Sequence, residues 1–417
     1  MWPFPARETP RIKFPVPAVL STHPSPETTA SSHRLIIIHH VQTRLRGSRR
    51  RLARRPRNEY YFNIAAPRFL VKPESLPQSK YLYSIPGAFH DYPADRFSFV
   101  KGLVTNIDYA TKSVTVTVAA NSAATTTTTT PPPPTETSFG FDYLVIASGS
   151  TTPATMGQSG VRLPFKSTAF EDTRKVIREA QEKLRAARQI LIGGAGPLGV
   201  ELAGELAEVA GPKKVTLVSR SRELLEGATT PVQKAASLLL HQRNVDVLTG
   251  TTVVNAAYEA NTQTWKVELS SGRLFTVDAY IATTGTIPNN AYIPKSFLNA
   301  QGWVNVDGQL RVLENRVSRT DTYALGDIVC HPYRLLSRVP LQAETVVANI
   351  VEAIEKRGQV RTYSADAQKK MMVVPVGQST GTGHIGGWTL FGCLVWFFKG
   401  RDFLTYKAPK FLRGEER

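Results

Sequence analysis

Alternating apolar and polar positions predict an antiparallel meander in the first half of the chain. Over residues 97–120, the stretch FSFVKGLVTNIDYATKSVTVTVAA repeats with a period of two, as strands with one buried face do. Residues 108–112 break the alternation and predict a turn. A Thr/Pro tract follows that has too few apolar positions to pack, so we expect a surface insertion over residues 121–137. The pattern resumes at residue 139 in FGFDYLVIASGS.

Helical patterns alternate with apolar strands in the second half. A charged helical pattern covers residues 170–187, and residues 189–221 predict a strand, a glycine turn, a helix and a second strand. A helix at 231–243 and further strands complete this unit. The stretch TDTYALGDIV at 320–329 predicts a buried strand that ends in Gly-Asp, and a helix follows at 342–356. This alternation indicates α/β architecture with parallel sheets.

Positive charge is concentrated near the N-terminus. The chain of 417 residues has a net charge of +18, yet residues 1–58 hold twelve Lys/Arg against two Glu, which is +10 and leaves +8 for the rest. Residues 1–33 contain seven prolines without periodicity and predict disorder, whereas 35–38 predict a short buried strand. The arginine-rich stretch lacks interleaved aromatic residues and any base-reading motif, so no specific nucleic-acid partner is expected. Its composition also suits a mitochondrial transit peptide, which leaves cytoplasmic and mitochondrial locations open.

The cysteines and histidines exclude several kinds of site. Cys330 and Cys393 are the two cysteines of the chain, too few for a disulfide framework and too far apart for a CxxC redox pair. His39 and His40 lack a third ligand or a supporting acid, so no metal site is predicted. No apolar run is long enough to cross a membrane.

The strongest local motif is the glycine turn in GGAGPLGVE, residues 193–201. Gly194, Gly196 and Gly199 follow the strand at 189–192 with GxGxxG spacing and precede a helix. Gly194 permits the tight turn, Gly196 lets a pyrophosphate approach the backbone, and Gly199 lets the helix lie close to the strand. In this context the motif predicts a dinucleotide site, with a purely structural glycine turn as the alternative.

The end of the second strand bears on which dinucleotide is bound. NAD favours an acid about 20 residues beyond the glycines, where the ribose 2′-hydroxyl lies. This chain has Ser219 there, followed by Arg220 and Arg222, which would accept the 2′-phosphate of NADP. The alternative is that both arginines are simply solvated. Both NADP and NAD therefore stay open, with NADP favoured.

Glu201 lies two residues after the last glycine and has two interpretations of equal weight. A carboxylate in the first turns of a helix is stabilised by the helix dipole. Alternatively, the side chain faces the nicotinamide side of the site.

Four motifs in this order resemble those of flavoproteins with two dinucleotide-binding domains. They are FDYLVIASGS at 141–150, GGAGPLGVE at 193–201, DAYIATTGTIPN at 278–289 and TYALGDI at 322–328. The stretch YYFNIAAPR and the C-terminal GHIGGWTLFGCLVWFFKGRDFLTYKAP are similar to the apoptosis-inducing-factor-like, ferroptosis-suppressor type, which is related to type II NADH:quinone dehydrogenases. The resemblance runs from about residue 59 to 415.

The resemblance implies a three-layer α/β fold with two Rossmann-like dinucleotide-binding domains that contain parallel sheets and β-meanders. An NAD(P)-binding domain is inserted in a truncated FAD domain, and an α+β interface domain ends the chain. The expected boundaries are a basic segment at 1–58, the first part of the FAD domain at 59–165, the NAD(P) domain at 166–286, the second part of the FAD domain at 287–360 and the C-terminal, membrane-proximal domain at 361–417.

The same resemblance assigns flavin-site roles. Asp327, after Gly326, would accept hydrogen bonds from the FAD ribitol; its alternative role is a helix N-cap. Gly149 and Gly285 would form the tight turns where the chain passes between domains. The helix that begins near Gln342 would point its positive end at the flavin pyrimidine. Residues 63–68, which begin with Asn63 and end with Arg68, would line the flavin region.

The N-terminus departs from the family pattern. Strand 35–38 should be followed by a glycine turn for the FAD pyrophosphate, but the sequence there is HHVQTRLRG, where the side chains of His39 and His40 would fill the space of a phosphate. Three explanations are open: an altered reading frame or splice, which we favour, a real loss of FAD binding, or a functional basic arm.

The implied reaction is a transfer of electrons from NAD(P)H through FAD to a quinone, oxygen or a similar small organic acceptor. Under the same hypothesis, the protein could instead be a tailoring enzyme that oxidises or reduces an intermediate of a biosynthetic pathway. The alternative is a non-catalytic NAD(P)-binding protein that has lost FAD. The apolar stretch LFGCLVWFF at 390–398, flanked by Lys399, Arg401, Lys407 and Lys410, predicts contact with a membrane surface, with packing inside the interface domain or in a homodimer as the alternative.

Overall fold

The structure is a computed structural model that describes residues 35–39, 59–93, 97–118, 135–158, 160–167, 173–211, 213–331, 334–356, 358–365 and 371–415. The strands within these residues are, in chain order, β1 (Leu35–His39), β2 (Glu59–Tyr61), β3 (Leu82–Ser84), β4 (Gly102–Asp108), β5 (Ser113–Val118), β6 (Thr135–Gly140), β7 (Tyr143–Ala147), β8 (Ser150–Thr151), β9 (Gln189–Gly193), β10 (Lys214–Val218), β11 (Asp246–Leu248), β12 (Val253–Glu259), β13 (Thr264–Leu269), β14 (Leu274–Val277), β15 (Ala279–Ala282), β16 (Ile287–Pro288), β17 (Arg311–Glu314), β18 (Val317–Ala324), β19 (Met371–Pro375), β20 (Gly381–Ile385) and β21 (Trp388–Leu390).

The helices of the same residues are α1 (Ala66–Val71), α2 (Ile85–Ala88), α3 (Pro153–Met156), α4 (Thr173–Ala186), α5 (Pro197–Ala207), α6 (Thr230–His241), α7 (Val339–Glu355), α8 (Gly392–Val395) and α9 (Ala408–Arg413). Short 3-10 turns lie at Asn63–Ala65, Pro73–Ser75, Gln78–Lys80, Lys295–Phe297, Gly326–Ile328, Leu336–Arg338 and Thr405–Lys407, and a π-helical turn at Trp396–Gly400. None of the helices in the described part of the chain is long and apolar enough to cross a membrane.

The first sheet has the strand order β1-β7-β18-β17. Strand β1 pairs in parallel with β7 from Leu35↔Tyr143 to His39↔Ala147, and β18 pairs in parallel with the other edge of β7. Only β17 runs antiparallel to its neighbour in this sheet. The strand predicted at 35–38 is therefore confirmed, and it lies beside the strand of the FDYLVIASGS motif.

The second sheet has the order β11-β10-β9-β15, and all of its strands are parallel. Strands β9 and β15 are buried almost throughout, because residues of α4 and α5 pack on one face of this sheet and residues of β13 and β14 pack on the other. The predicted strand–glycine turn–helix–strand unit is β9, α5 and β10. The α/β fold with parallel sheets is confirmed.

Three antiparallel meanders complete the fold: β4-β5-β6, β12-β13-β14 and β19-β20-β21. The predicted turn at 108–112 is confirmed, because the Asp108 carboxylate accepts hydrogen bonds from the backbone N–H groups of Ala110 and Thr111. The predicted end of the Thr/Pro insertion at 137 is wrong. Strand β6 begins at Thr135, which lies opposite Val118, since pairing at a sheet edge needs backbone groups and no apolar side chains.

Helix α7 begins at Val339, three residues before the predicted start at 342. Pro340 lies in its first turn, where the missing proline N–H costs nothing. Gln342 is thus inside the first turn of the helix instead of at its start.

The largest apolar core joins three parts of the chain around helix α5. It contains Phe69 of α1, Leu202 of α5, Val376 after β19 and Phe403 near the C-terminus, all fully buried. Helix α1 packs against both α4 and α5. The helix that follows the glycine turn is therefore held between the first and last segments of the described chain.

Candidate functional site

The glycine turn after β9 is tight on its protein side and open on the other. Gly194 has a φ of +118°, and a Cβ there would lie 2.8 Å from the Thr283 Oγ1 atom. A Cβ on Gly199 would collide with the Gly194 carbonyl oxygen. At Gly196 a Cβ would meet nothing within 4 Å. Glycines 194 and 199 therefore close the turn, while Gly196 leaves free space in front of it.

Helix α5 begins at that free space without a side-chain cap. Gly196 is its N-cap residue and no side chain accepts a hydrogen bond from the first turn. The first N–H groups of a helix need acceptors, and together with the helix dipole they favour an anion. The uncapped, open end of α5 fits the pyrophosphate of a dinucleotide.

The end of β10 places Ser219 and Arg220 side by side with different exposures. Ser219 is buried, and its N–H donates to the Leu248 carbonyl oxygen at 2.7 Å. Arg220 is exposed and forms an ion pair with Glu226 at 3.2 Å. Arg222 is exposed as well. The Arg220 guanidinium thus already has an anionic partner within the chain.

Glu201 points away from solvent and toward the C-terminal segment. Its carboxylate is buried and forms an ion pair with the Lys399 ammonium at 2.5 Å. Burial raises the pKa of Glu201, and the charge of Lys399 opposes that shift. Besides the two roles predicted for Glu201, near the helix dipole or facing the nicotinamide, the structure shows a third one. Its buried ion pair with Lys399 connects α5 to the π-helical turn at Trp396–Gly400.

A second constellation surrounds Asp327 at the end of β18. The Oδ2 atom of Asp327 accepts hydrogen bonds from Lys166 Nζ at 2.6 Å and from Ser150 Oγ at 3.1 Å. The neighbouring Gly326 has a φ of +78° and donates its N–H to Gln342 Oε1 at 2.7 Å. The structure therefore brings Gly326, Asp327 and Gln342 together, as the resemblance implies.

Asp327 is an anion at neutral pH. Burial by itself would raise its pKa, but the Lys166 ammonium and the Ser150 hydroxyl outweigh burial and hold the pKa below its ordinary value. Both of these hydrogen bonds end on Oδ2. The Oδ1 atom is therefore still available to accept a hydrogen bond, as far as the described residues show. An ionised carboxylate with one free oxygen suits the hydroxyl groups of a ribitol chain.

The two turns assigned to the domain crossings lie beside this constellation. Gly149 and Gly285 have φ values of +68° and +74°, which favour glycine. The Gly149 carbonyl oxygen accepts a hydrogen bond from the Asn289 N–H at 3.1 Å, and β8 and β16, which follow the two turns, pair with each other. The two connections between the sheets are thus hydrogen-bonded together.

Asn63 and Arg68 are held by different partners. The Asn63 side chain donates to the Phe165 carbonyl oxygen at 2.7 Å, on the segment that also carries Lys166. Arg68 is buried and lies 2.7 Å from the Glu205 carboxylate, as an ion pair that departs from linear hydrogen-bond geometry. Its Nη2 atom also donates to the Gly400 carbonyl oxygen at 3.0 Å. Arg68, on helix α1, therefore joins helix α5 to the C-terminal segment.

Several important side chains were not predicted from the sequence. They are the partners of the predicted residues: Lys166, Lys399, Glu205, Glu208 and Glu226. One local signal was available, because Glu201, Glu205 and Glu208 repeat with the spacing of one helical face. Acids buried along one face of α5 require cationic partners from elsewhere in the chain.

The comparison with known families decides the class of protein. Residues 63–368 match the pyridine nucleotide-disulphide oxidoreductases. The chain belongs to this family. It is an NAD(P)H-dependent oxidoreductase, and members of the family use FAD and a nicotinamide nucleotide.

Named relatives are oxidoreductases from fungi and animals. The chain is 32% identical to oxidoreductase ptaL of Pestalotiopsis fici over 340 residues, which cover 81% of this chain and 84% of that protein. It is 29% identical to oxidoreductase phnG of Penicillium herquei, with 84% and 85% covered. It is 24% identical to human ferroptosis suppressor protein 1, with 86% and 88% covered. The resemblance to the ferroptosis-suppressor type is confirmed.

Solved structures share the fold at low sequence identity. The reduced CoADR-RHD protein of Bacillus anthracis has a TM-score of 0.57 at 15% identity, with 84% of this chain and 56% of that chain covered. An engineered water-forming NADPH oxidase bound to NADPH has a TM-score of 0.52 at 20% identity, with 75% and 65% covered. These solved structures show the fold that the chain shares with them.

The residues present fit part of each cofactor. The open end of α5 fits the phosphates of NAD(P), and Gly326, Asp327 and Gln342 fit the ribitol and ring half of FAD. The FAD pyrophosphate would rest on residues after β1. His40 and the rest of residues 40–58 lie outside the described residues, as do residues 1–34, whose composition suits a transit peptide.

Proposed function

We propose that the protein passes electrons from NAD(P)H through FAD to a quinone-like small organic acceptor, with oxygen as a slower substitute. The observation that carries this proposal concerns the two cysteines, which are both described, both exposed and both free thiols. An internal relay that carries electrons from the cofactor to a disulfide substrate needs two cysteines that can pair with each other. A chain with no such pair must deliver its electrons to an acceptor from outside.

The residues around each cofactor half supply binding and electrostatics. FAD, when bound, accepts a hydride and passes its electrons on. Asp327 holds hydroxyl groups, and the N-terminal end of the 17-residue helix α7 supplies positive potential next to Gln342. Lys166 neutralises Asp327 so that the carboxylate can stay ionised in a mostly buried place. For the whole reaction, one hydride from NAD(P)H and one proton from solvent convert a quinone to its quinol.

The expected test of the acceptor is reoxidation of the NADPH-reduced protein without oxygen. A water-soluble quinone should restore the oxidised flavin spectrum at a rate at least tenfold above that given by a low-molecular-weight disulfide. A Cys330→Ser, Cys393→Ser double variant should behave identically with the quinone. Loss of quinone reduction in that variant, or faster reaction with the disulfide, would count against the proposal.

We also propose that the C-terminal segment rests on a membrane that carries anionic lipid. Its aromatic surface consists of five exposed aromatic side chains together with the exposed Leu394: Trp388, Phe391, Leu394, Trp396, Phe397 and Phe398. Trp388 is 84% and Phe391 is 76% exposed, which is unusual for aromatic side chains of a folded protein. The alternative prediction, that this segment packs inside the interface domain, would require these side chains to be buried.

Charge beside the aromatic surface favours an anionic partner. Arg401 lies 5.9 Å from the Phe397 ring centroid and 6.0 Å from that of Tyr406, and Lys407 and Lys410 follow. Of the four cations predicted to flank the segment, Lys399 instead neutralises Glu201. Each cation at an anionic bilayer surface contributes about 1 kcal/mol, and aromatic residues anchor at the interface.

Replacing Trp388 and Phe397 by Ser should reduce co-sedimentation with vesicles that contain anionic lipid by at least fivefold. The reason is the loss of two aromatic anchors while fold and charge stay the same. Leu274→Ser is the matched control, because Leu274 is 76% exposed on the β12-β13-β14 meander, away from this surface. If the double variant binds vesicles like the original chain but no longer self-associates in sedimentation velocity, the aromatic surface is a homodimer contact instead.

A further inference from the structure

The carboxyl end of β10 carries an acid that does not come from the strand itself. The strand ends at Val218, and the fingerprint position about 20 residues beyond the glycines is occupied by Ser219, which cannot act as an anionic acceptor. Glu226, seven residues further along the chain, returns to this place. Its Oε2 atom accepts hydrogen bonds from Ser221 Oγ at 2.9 Å and from Arg220 Nη2 at 3.2 Å.

The loop that presents Glu226 is fastened to the glycine turn. The Leu225 N–H donates to the carbonyl oxygen of Ala195, a residue within the GxGxxG motif, at 2.9 Å. Leu224 and Leu225 are fully buried, and the backbone reverses with positive φ at Leu225 and Gly227. The backbone at Glu226 is therefore fixed at the rim of the dinucleotide turn, and its exposed side chain is held there by Ser221 and Arg220.

Arg220 and Ser221 form the kind of donor pair that binds a phosphate. A guanidinium and a hydroxyl directed at one point would serve the 2′-phosphate of NADPH. In this chain both donors converge on a single carboxylate oxygen. These hydrogen bonds, Ser221 first and Arg220 second, hold the pKa of Glu226 below its ordinary value, so the carboxylate is ionised at neutral pH.

We propose that Glu226 sets the choice between NADH and NADPH, because its carboxylate occupies the position that Arg220 and Ser221 would otherwise offer to a 2′-phosphate. With NADH, the ribose 2′-hydroxyl donates to Glu226. With NADPH, the phosphate repels Glu226 and must displace it from both donors. The inference rests on nicotinamide nucleotide binding at the glycine turn. The sequence predicted a preference for NADP, and this inference replaces it by a preference for NADH. Removal of the Glu226 charge alone should allow the site to bind NADPH well.

The test is a fluorescence titration of the full chain with NADH and with NADPH, for the original protein and for Glu226→Gln. The substitution keeps the shape of the side chain and removes its charge. It should lower the Kd for NADPH at least tenfold and leave the Kd for NADH within threefold. Glu259→Gln is the control, because Glu259 is also a surface acid of the same part of the chain and pairs with Lys266 at 2.7 Å.

A second variant separates the donors from the acid. In the Glu226→Gln background, Arg220→Gln should return the Kd for NADPH to the original value or above it, with little change for NADH. Adenosine 2′,5′-bisphosphate and 5′-AMP, titrated as competitors, should show the same contrast without any redox activity. If both nucleotides bind and Glu226→Gln leaves the ratio of their Kd values unchanged, the role of Glu226 is overturned and the proposed function is not. If neither nucleotide binds to the original chain, the proposed function is overturned together with this inference.

Discussion

Asp327→Ala should yield purified protein that has lost its flavin colour and still binds NADPH. The Asp327 carboxylate is ionised, fixed by Lys166 and Ser150, and next to the first turn of α7. Hydrogen bonds to a charged acceptor contribute about 1.5–3 kcal/mol each, and each 1.4 kcal/mol is about tenfold in affinity. Loss of the carboxylate should therefore weaken FAD binding by about 10- to 100-fold for each ribitol hydroxyl that it holds. NADPH binding should persist, because the glycine turn belongs to the other sheet.

The matched control for this prediction is Asp246→Ala. Asp246 is an exposed acid at the start of β11, and its carboxylate lies 3.8 Å from the Lys214 ammonium. Its replacement therefore also removes a lysine-paired aspartate, but from the protein surface. Flavin content of the control should equal that of the original chain. Equal flavin content in Asp327→Ala would contradict the assigned role of Asp327. A flavin-free original chain that binds NADPH would favour the non-catalytic NAD(P)-binding alternative.

Glu205→Leu should lower the free energy of unfolding by about 3–5 kcal/mol, the range typical for removal of one partner of a buried ion pair. Glu205 is fully buried and pairs with Arg68 at 2.7 Å and Lys72 at 3.1 Å. Lys72 keeps a second acid, Glu208 at 2.9 Å, but the buried guanidinium of Arg68 would have no acid left among its described partners. Urea denaturation of the original chain and the variant measures the difference.

A double variant distinguishes the ion pair from simple packing. Arg68→Met combined with Glu205→Leu removes both charges, so it should recover most of the stability that Glu205→Leu loses. Glu179→Leu is the surface control: Glu179 pairs with Lys175 on α4, both side chains are more than half exposed, and the loss should stay below about 1 kcal/mol. Additive losses in the double variant would show that the charges do not depend on each other.

Local patterns predicted the parts of the fold that depend on local physics. The meander followed from period-two alternation, and its turn followed from Asp108, whose carboxylate binds the turn backbone. The glycine turn followed from three spaced glycines, two of which have no room for a side chain. The start of β6 was missed because its residues are polar and exposed, so the alternation gave no contrast between faces.

Pairs that are distant in sequence could not be predicted. Glu201 and Lys399 are 198 residues apart, and Asp327 and Lys166 are 161 residues apart. Nothing in the sequence around Lys166 distinguishes it from a solvated surface residue, and the apolar stretch beside Lys399 predicted contact with a membrane instead of an ion pair with Glu201. The resemblance supplied Asp327 and Gln342 because their motifs are local, whereas the cation that keeps Asp327 ionised comes from another segment of the fold.

The N-terminal region contains one segment whose structure could be predicted from its sequence and one whose structure could not. The strand predicted at residues 35–38 forms, and Ile37 within it is buried. Strand β1 lies parallel to β7, at the position where a first strand of a nucleotide domain belongs. The arginine-rich stretch that follows has no pattern of its own, and its three explanations make different predictions for flavin binding. If a reading-frame change has altered this stretch, the residues around Asp327 still bind added FAD, but more weakly than a complete site would. If the site has truly been lost, added FAD does not bind.

The most direct measurement is an anaerobic titration of the purified full chain, supplied with FAD, with NADH, the nucleotide that the site beside Glu226 favours. The account predicts bound oxidised flavin, absorbing near the visible maximum of free flavin, that bleaches on addition of one equivalent of nicotinamide nucleotide per flavin. A chain that binds the nucleotide while its flavin stays oxidised, or that binds no added FAD, would contradict the account.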